Sequence, residues 1–209
     1  MTDLRLPDPD AFAKDPFGYS SLAWHKWGTI RTLNGFHIDI SKHPTAEDLK
    51  DPLLWLTHAS ALAEAATCLV RVHPVFSQFP SSLQTISHSQ YYAVALMLVG
   101  YSLEVSLKAM LLMRLGVDEF LAQEKKFLIH ELNDLSDFIT DLSAKDRAIL
   151  SCLTHFVKWA GRYPDPGARR LDSAVDVFSL SETHRITAKD VFELSGRVMR
   201  HANYVVSGS

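Results

Sequence analysis

Cysteine is scarce in this chain of 209 residues, which contains two, Cys68 and Cys152. Both lie inside patterns typical of amphipathic helices, where a thiol behaves as a small apolar residue, so we expect no disulfide framework. An excess of basic charge is also lacking, since the formal net charge is −3. This balance argues against a nucleic-acid-binding surface spread over the whole protein, while a local basic patch remains compatible with it.

Signals for export or membrane insertion are equally sparse. The first residues, MTDLRLPDPD, are acidic and contain two prolines, whereas a secretory signal requires a basic start and then an apolar run. The most apolar run, Tyr91 to Leu103, has 13 residues and ends at Glu104, which is shorter than the ~20 residues that span a bilayer. We therefore expect a cytoplasmic protein with no membrane partner.

Two segments resemble catalytic motifs without completing them. Residues 130–134, HELND, begin like a zinc-protease signature, but Asp134 stands where the second histidine is required. Residues 100–104, GYSLE, lack the second glycine of a nucleophile elbow and lie inside a helical pattern. The chain also has no Gly-rich phosphate loop and no dinucleotide fingerprint. We expect neither a metal nor a cofactor.

The longest apolar segment runs from His88 to Gly116 and has a helical composition throughout. It carries two full charges, Glu104 and Lys108, at spacing i, i+4, on the same side of the helix as Tyr101. Two interpretations stand: an ion pair that satisfies itself within the core, or a partly exposed pair that lines a cleft. Another face of the helix offers only small side chains, so a neighbouring helix can approach closely there: Ala95, Ser102, Ser106 and Ala109.

The first 44 residues differ in composition from the rest of the chain. Residues 1–20 contain three prolines and no periodicity, which predicts an extended or poorly ordered arm. An Asn34-Gly35 turn signal between short β-prone runs predicts a small hairpin or irregular cap over residues 21–44. Residues 1–44 are thus expected to form an N-terminal arm and cap.

Residues 45–209 show helical periodicity and capping signals instead. Five main helices are predicted, over residues 45–73, 88–115, 130–142, 143–160 and 187–205. A further short helix is predicted within residues 117–129. Residues 168–185 show no dominant period and are predicted to form a loop with at most one turn of helix. The expected fold class is all-α, an antiparallel bundle of four or five main helices with the irregular cap added at its N-terminus.

A set of polar and aromatic side chains falls at positions that such a bundle can bring to one end: Tyr101, Glu104, Lys108, His130, Trp159, Arg162 and Tyr163. Together with Arg169 and Arg170, Arg162 gives the proline-rich turn a local positive charge beside an aromatic ring. This combination is suited to holding a phosphate or stacking on a base. The alternative is a solvated loop in which Arg162 pairs with Glu104.

Three runs in this region carry a family resemblance: YSLEVSLKAMLLMRLG at 101–116, HELNDL at 130–135 and VKWAGRYPDP at 157–166. Together they resemble the HEPN superfamily, whose helical bundles often combine an apolar helix bearing E-x-x-x-K-A with a following H-x-L-x-x-L helix. The resemblance covers roughly residues 87–166. It implies a homodimer with a role in RNA metabolism, bacterial defence or toxin–antitoxin systems.

Many members of that superfamily are metal-independent ribonucleases. The resemblance implies an Arg followed by a His after four to six residues, near the start of the last helix. Here that spacing occurs only from Arg31 to His37, in the N-terminal cap, where chance accounts for it. Arg197 and His201 lie in the last predicted helix, but they are only four positions apart and share a helix face.

Three functional hypotheses follow. The first is a divergent, non-catalytic HEPN-like protein that binds RNA, a nucleotide or a protein partner near Glu104, Lys108, His130 and Arg162. The second is a ribonuclease in which His201 acts as general base or acid and Arg197 stabilises the phosphorane charge. The third is a structural protein whose polar residues fix the bundle and whose function lies in a protein interface.

Overall fold

Every regular element that the structure describes is helical. A computed structural model describes residues 9–20, 23–39, 41–165, 167 and 176–207, and no strand occurs within these ranges. The all-α prediction is confirmed for this part of the chain. It divides into two compact units, Met1–Leu54 and Trp55–Ser209.

The first unit is more helical than its sequence suggested. It contains α1 (Pro9–Lys14), α2 (Pro16–Ser20), α3 (Ala23–Leu33) and a 3-10 turn at Asp48–Lys50. The extended arm predicted over residues 1–20 is wrong for 9–20, and the hairpin predicted over 21–44 is wrong for 23–33. Residues 1–8, 21–22 and 40 lie outside the described ranges.

The physical reasons for both errors are local. Pro9 and Pro16 each occupy the first position of a helix, where the missing N–H costs nothing and the fixed φ is favourable. Gly35 has a φ of 88°, and its N–H donates to the carbonyl of Thr32 at 3.0 Å. The Asn34-Gly35 pair therefore ends α3 as a left-handed cap and makes no hairpin turn.

The helices of the second unit have the following bounds: α4 Pro52–Arg71, which begins in the first unit, α5 Ser81–Leu115, α6 Val117–Ala122, α7 Glu124–Phe127, α8 Leu132–Leu135, α9 Ala144–His155, α10 Val177–His184 and α11 Ala188–Ser207. A π-helical turn, Phe156–Ala160, continues α9. The helix predicted from His130 is limited to the four residues of α8. A loop with at most one turn of helix was predicted here, but residues 177–184 form the eight-residue helix α10. Residues 168–175 are outside the described ranges.

The central helix α5 organises the core of this unit. Its buried residues begin at Ala95 and pack with residues of α8, α9 and α11, among them Leu132, Leu150, Leu153, Leu194 and Val198. On the small-residue face, Ser102 Oγ lies 3.7 Å from Met199 Sδ of α11. On another face, a Cβ added to Gly100 would overlap Val157, so the π-helical turn lies close against α5.

Two helices, α4 and α5, are long and apolar enough to cross a membrane by length and composition alone. The most apolar part of α5 is 61% buried, as befits the core helix of a folded domain, whereas the corresponding part of α4 is 11% buried. The apolar character of α5 is thus accounted for by packing. Packing does not account for the apolar character of α4 in the same way. The expected absence of a membrane partner therefore stays a prediction.

Candidate functional site

A buried carboxylate lies at the centre of the candidate site. Glu104 is 5% exposed, and its two oxygens have different partners. Lys108 Nζ donates to Oε1 at 2.7 Å, and His130 Nδ1 lies 2.9 Å from Oε2. Because both oxygens are used, the cost of burying this charge is offset by charge-assisted hydrogen bonds.

His130 connects this buried pair to the surface. Its side chain is 45% exposed, and the edge of its ring contacts Tyr101, with the centroids 6.4 Å apart. A carboxylate at Nδ1 fixes that nitrogen as the donor and leaves Nε2 as the ring nitrogen that Glu104 does not use. Within the described ranges Nε2 has no hydrogen-bond partner, so it is available to a ligand.

The three residues after His130 are attached to one face of α9 and its π-helical extension. Glu131 pairs with Lys158, the N–H of Leu132 donates to Thr154 Oγ1 at 3.1 Å, and the Asn133 amide donates to Ser151 Oγ at 2.8 Å. Positions 151, 154 and 158 repeat at helical spacing and therefore share a face. His130 is consequently presented by a segment that is held at three successive residues.

The π-helical turn decides where the next side chains point. The N–H of Gly161 donates to the carbonyl of Phe156 at 3.1 Å, five residues back, so the turn holds one residue more than an α-helix would. Tyr101 Oη donates to the carbonyl of Val157 across a long 3.5 Å. Such turns are rare and often occur at functional sites. Here the turn carries Val157, whose carbonyl accepts from Tyr101, and Lys158, which pairs with Glu131 next to His130.

Arg162 and Tyr163 lie at the exposed end of this turn. An Nη2 atom of Arg162 donates to the carbonyl of Lys158 at 2.6 Å, and the guanidinium lies 5.7 Å from the centroid of the Tyr163 ring. No carboxylate within the described ranges comes into ion-pairing distance of Arg162, so the pairing with Glu104 considered from the sequence does not form. Arg169 and Arg170, predicted to add charge here, lie outside the described residues.

The sequence-predicted binding residues therefore fall into two groups. Glu104, Lys108 and His130 form one hydrogen-bonded network, with Tyr101 against the imidazole. Trp159, Arg162 and Tyr163 lie on the π-helical turn or directly after it, and Trp159 packs edge-on against His155 at 4.5 Å. The ion pair of Glu131 with Lys158 links the two groups.

Arg197 and His201, the catalytic candidates, belong to a different part of the unit. Arg197 pairs with Asp146, a buried residue that also forms the capping box of α9 with Ser143. His201 lies on α11, and its ring centroid is 6.2 Å from that of Phe138. The guanidinium of Arg197 thus has a partner that ties α11 to the start of α9.

A shallow groove of about 520 Å³ runs over the outer face of α11. Six residues of that helix line it: Lys189, Phe192, Glu193, Gly196, Arg197 and Arg200. Its cations are partly balanced, because Arg197 pairs with Asp146 and Lys189 lies 3.6 Å from Glu193. No group of three or more metal-ligating side chains occurs in the described part of the chain.

Sequence reasoning missed Glu131, Thr154 and Lys158. The signal for them was present, because Arg147, Ser151, Thr154 and Lys158 place polar groups at i, i+4, i+7 and i+11 of a helix that is otherwise largely apolar. Such a stripe inside a bundle requires polar partners. The segment after His130 supplies them.

Comparison with known proteins adds no assignment. No family profile matches the chain, and neither the curated proteins nor the solved structures contain a significant match. The chemistry of the site therefore carries the functional argument.

Proposed function

We propose that this protein is a HEPN-like antiparallel bundle of four or five main helices that binds single-stranded RNA through the surface around His130, Lys158 and Arg162. The observation that carries the proposal is the orientation of His130. Glu104 holds one ring nitrogen at 2.9 Å, and the other has no hydrogen-bond partner in the described ranges, on a side chain that is 45% exposed. A fixed ring with an open nitrogen is a preorganised ligand contact.

The charges around His130 favour an anionic ligand. Glu104 and Lys108 neutralise each other, and so do Glu131 and Lys158. Arg162 then remains as an exposed cation whose Nη2 donates to the carbonyl of Lys158, the residue that pairs with Glu131. A single exposed guanidinium can bind a phosphate group. A local cation of this kind is compatible with the net charge of −3 on the whole chain.

The aromatic side chains narrow the ligand to an unpaired nucleic acid. Tyr101 lies against His130, Tyr163 lies 5.7 Å from the guanidinium of Arg162, and Trp159 of the π-helical turn packs on His155. Exposed rings next to phosphate-binding cations are the means by which proteins hold single strands, since unstacked bases can lie on the rings. The resemblance to the HEPN superfamily supports RNA as the ligand and a cytoplasmic role in RNA metabolism, bacterial defence or a toxin–antitoxin system.

One observation favours a second candidate function, metal-independent RNA cleavage. An imidazole oriented by a carboxylate, with its other nitrogen open, is the arrangement of a general base. Nε2 of His130 would take the proton of a ribose 2′-OH as that oxygen attacks phosphorus. The 5′-oxygen would leave with a proton from water, and a 2′,3′-cyclic phosphate would form. His130 suits this role better than His201, because Arg197 beside His201 is engaged by Asp146.

Fluorescence anisotropy of the full chain with a labelled single-stranded RNA of about 12 nucleotides tests the proposal. Arg162→Gln and His130→Gln should each weaken binding by about tenfold, the effect of losing one charged or directed contact. Lys189→Gln is the matched control, since its exposed side chain lies on α11, and it should change the affinity less than twofold. A wild type that fails to bind at low salt, or a control that weakens binding equally, contradicts the proposal.

The fate of the RNA distinguishes the two candidates. Intact RNA after prolonged incubation supports binding alone, whereas a 2′,3′-cyclic phosphate that disappears with His130→Gln supports cleavage. Cleavage that persists in His130→Gln and is lost in His201→Ala would restore the arrangement first considered from the sequence. A 2′-deoxy strand serves as the uncleavable control in each case.

A further inference from the structure

One glycine of this protein lies inside a helix although packing among the described residues does not require it. Gly196 stands near the middle of the 20 residues of α11, and glycine inside a helix is less stable than alanine because its backbone is freer in the unfolded chain. Two other glycines have a packing reason. A Cβ on Gly100 would lie 2.4 Å from Val157 Cγ2, and one on Gly161 would lie 2.3 Å from Met97 Cβ.

The surroundings of Gly196 are open by comparison. Apart from nearby backbone of α11, a Cβ added there would have one close neighbour in the described part of the chain, Arg200 Nη1 at 3.2 Å. The guanidinium of Arg200 thus lies back along α11 over the glycine, in the direction that helical side chains take. Both residues line the groove of about 520 Å³ on the outer face of this helix. The missing side chain of Gly196 keeps the groove open and leaves room for the guanidinium in it.

The groove has a cation without a counter-charge. Lys189 lies 3.6 Å from Glu193, and Arg197 pairs with Asp146. Arg200 is exposed and forms no hydrogen bond or ion pair within the described ranges. Three cations and two carboxylates therefore leave one positive charge, which belongs to a group whose N–H donors are unused.

We propose that this groove binds a small organic carboxylate with an apolar body. A guanidinium matches a carboxylate in geometry, because two parallel N–H groups reach the two oxygens. One uncompensated positive charge suits a monoanion better than a phosphate monoester, which carries roughly two negative charges at neutral pH. Phe192 lines the same groove and is partly buried, so its ring is held in place for the apolar body to contact.

The size of the groove fits this class of ligand. Pockets for small molecules have volumes of about 300–1,000 Å³ and combine apolar walls with a few polar groups. The groove lies within this range and is lined by both a ring and guanidinium groups. Because a shallow groove leaves part of its ligand in water, we expect a dissociation constant of about 1 mM for a fragment of about ten non-hydrogen atoms.

Four probes test the proposal on the full chain, with binding followed by heteronuclear NMR of nitrogen-labelled protein. Phenylacetate has both the charge and the ring, phenylacetamide has the ring alone, and acetate has the charge alone. We expect saturable shifts with phenylacetate, including that of the Arg200 Nε–H signal, and about tenfold weaker binding of the other two. Tighter binding of phenyl phosphate would assign the groove to phosphate esters and overturn the carboxylate class.

Two variants locate the binding. Arg200→Gln removes the uncompensated charge and should weaken phenylacetate binding by about tenfold. Gly196→Met fills the groove with a good helix former, so it should abolish binding while it raises the Tm by about 2–4 °C. Arg71→Gln is the matched control, because Arg71 is an exposed residue at the end of α4. This variant should bind phenylacetate as the wild type does.

Three results would overturn the proposal. They are a wild type that binds no phenylacetate at about 10 mM, a Gly196→Met variant that still binds it, and an Arg71→Gln variant that loses as much affinity as Arg200→Gln. A lowered Tm in Gly196→Met would mean that packing requires the glycine, which removes the premise.

The same variants keep this proposal separate from the proposed function. His130→Gln should lose RNA affinity and keep phenylacetate binding, whereas Arg200→Gln should do the reverse. Phenylacetate binding that is lost in His130→Gln and kept in Arg200→Gln would place the carboxylate at the candidate site and overturn its assignment to the groove. RNA binding that fails in the wild type leaves the groove proposal intact.

Discussion

Two buried carboxylates in this protein look alike and are used differently. Glu104 of α5 and Asp146 of α9 are 5% and 8% exposed, and each contacts a cation of the same unit. The partners of Asp146 are Ser143, which completes the cap of its own helix, and Arg197 of α11. The partners of Glu104 are Lys108 and His130.

The difference lies in what remains unused after each network is satisfied. Asp146 fastens two helices together, and its contacts are accounted for by capping and an ion pair. Glu104 orients a ring that is 45% exposed and whose second nitrogen has no hydrogen-bond partner in the described ranges. Buried charge alone thus does not mark a functional site, because the open group at the end of the network makes the distinction. The following predictions, ordered from the largest expected effect, test this comparison.

Removing Glu104 should have the largest effect on stability. Glu104→Ala leaves Lys108 buried without its carboxylate, and breaking one side of a buried pair costs about 3 kcal/mol of unfolding free energy. Urea unfolding followed by circular dichroism measures this loss. The paired variant Glu104→Leu with Lys108→Met should recover most of the stability while RNA binding stays weak, because His130 has lost its orienting partner. Full RNA affinity in that folded variant would make Glu104 purely structural.

Removing Asp146 should have a smaller effect that is confined to stability. Asp146→Ala loses a capping box and the tie to Arg197, which together contribute about 1–2 kcal/mol. The midpoint of urea unfolding should fall accordingly, while RNA affinity stays at the wild-type value. A loss of RNA binding without a loss of stability would reverse the roles of the two carboxylates.

Removing Arg197 should cost less still. The side chain of Arg197 is 51% exposed, so solvent screening limits its ion pair to less than about 1 kcal/mol. Arg197→Ala and Asp146→Ala should not be additive when combined, because both remove the same contact. A double-mutant cycle from urea unfolding measures the coupling. Zero coupling would mean that the ion pair does not hold α11 to α9 in solution.

The smallest effect should come from His155, whose ring is only partly buried and has no carboxylate partner of the kind that orients His130. Burial lowers the pKa of His155 from the ordinary value of 6.5, so the unfolded chain takes up this proton at a higher pH than the folded protein. Stability from the neutral ring is present above pH 6.5 and is lost as the pH falls through the folded pKa. Urea midpoints at about pH 7.5 and 5.5 should therefore differ less in His155→Gln than in wild type. His58→Gln is the control, because His58 is an exposed residue of α4. This variant should show the same difference between the two urea midpoints as the wild type.

Part of this site was predictable from the sequence, because it depends on spacing within one helix. Glu104 and Lys108 are four residues apart in an apolar segment, and any α-helix brings them together. The fold class followed from periodicity in the same way. Proline was misinterpreted at Pro9 and Pro16, since composition alone does not distinguish a helix start from an extended arm.

The rest depended on contacts between distant residues and on one irregular turn. That His130 reaches Glu104, across 26 residues of sequence, follows from the attachment of Glu131, Leu132 and Asn133 to α9. The position of Arg162 follows from the π-helical turn, which directs its guanidinium to the carbonyl of Lys158. No periodic pattern in a sequence predicts the i→i+5 hydrogen bond of a π-helical turn. The direction of the Arg162 side chain was therefore unknown, and the sequence alone could not exclude an ion pair between Arg162 and Glu104.

The site depends on the number of residues in the π-helical turn Phe156–Ala160 as well as on which residues they are. Since the N–H of Gly161 reaches back five residues, deleting one residue from this turn would let a plain α-helix continue from α9. Every later side chain would then rotate by about 100° around the helix axis. The side chains of Arg162 and Tyr163 would change direction relative to α5, although neither residue had been substituted. In a lineage of such proteins, a one-residue deletion would silence the site while leaving the fold intact.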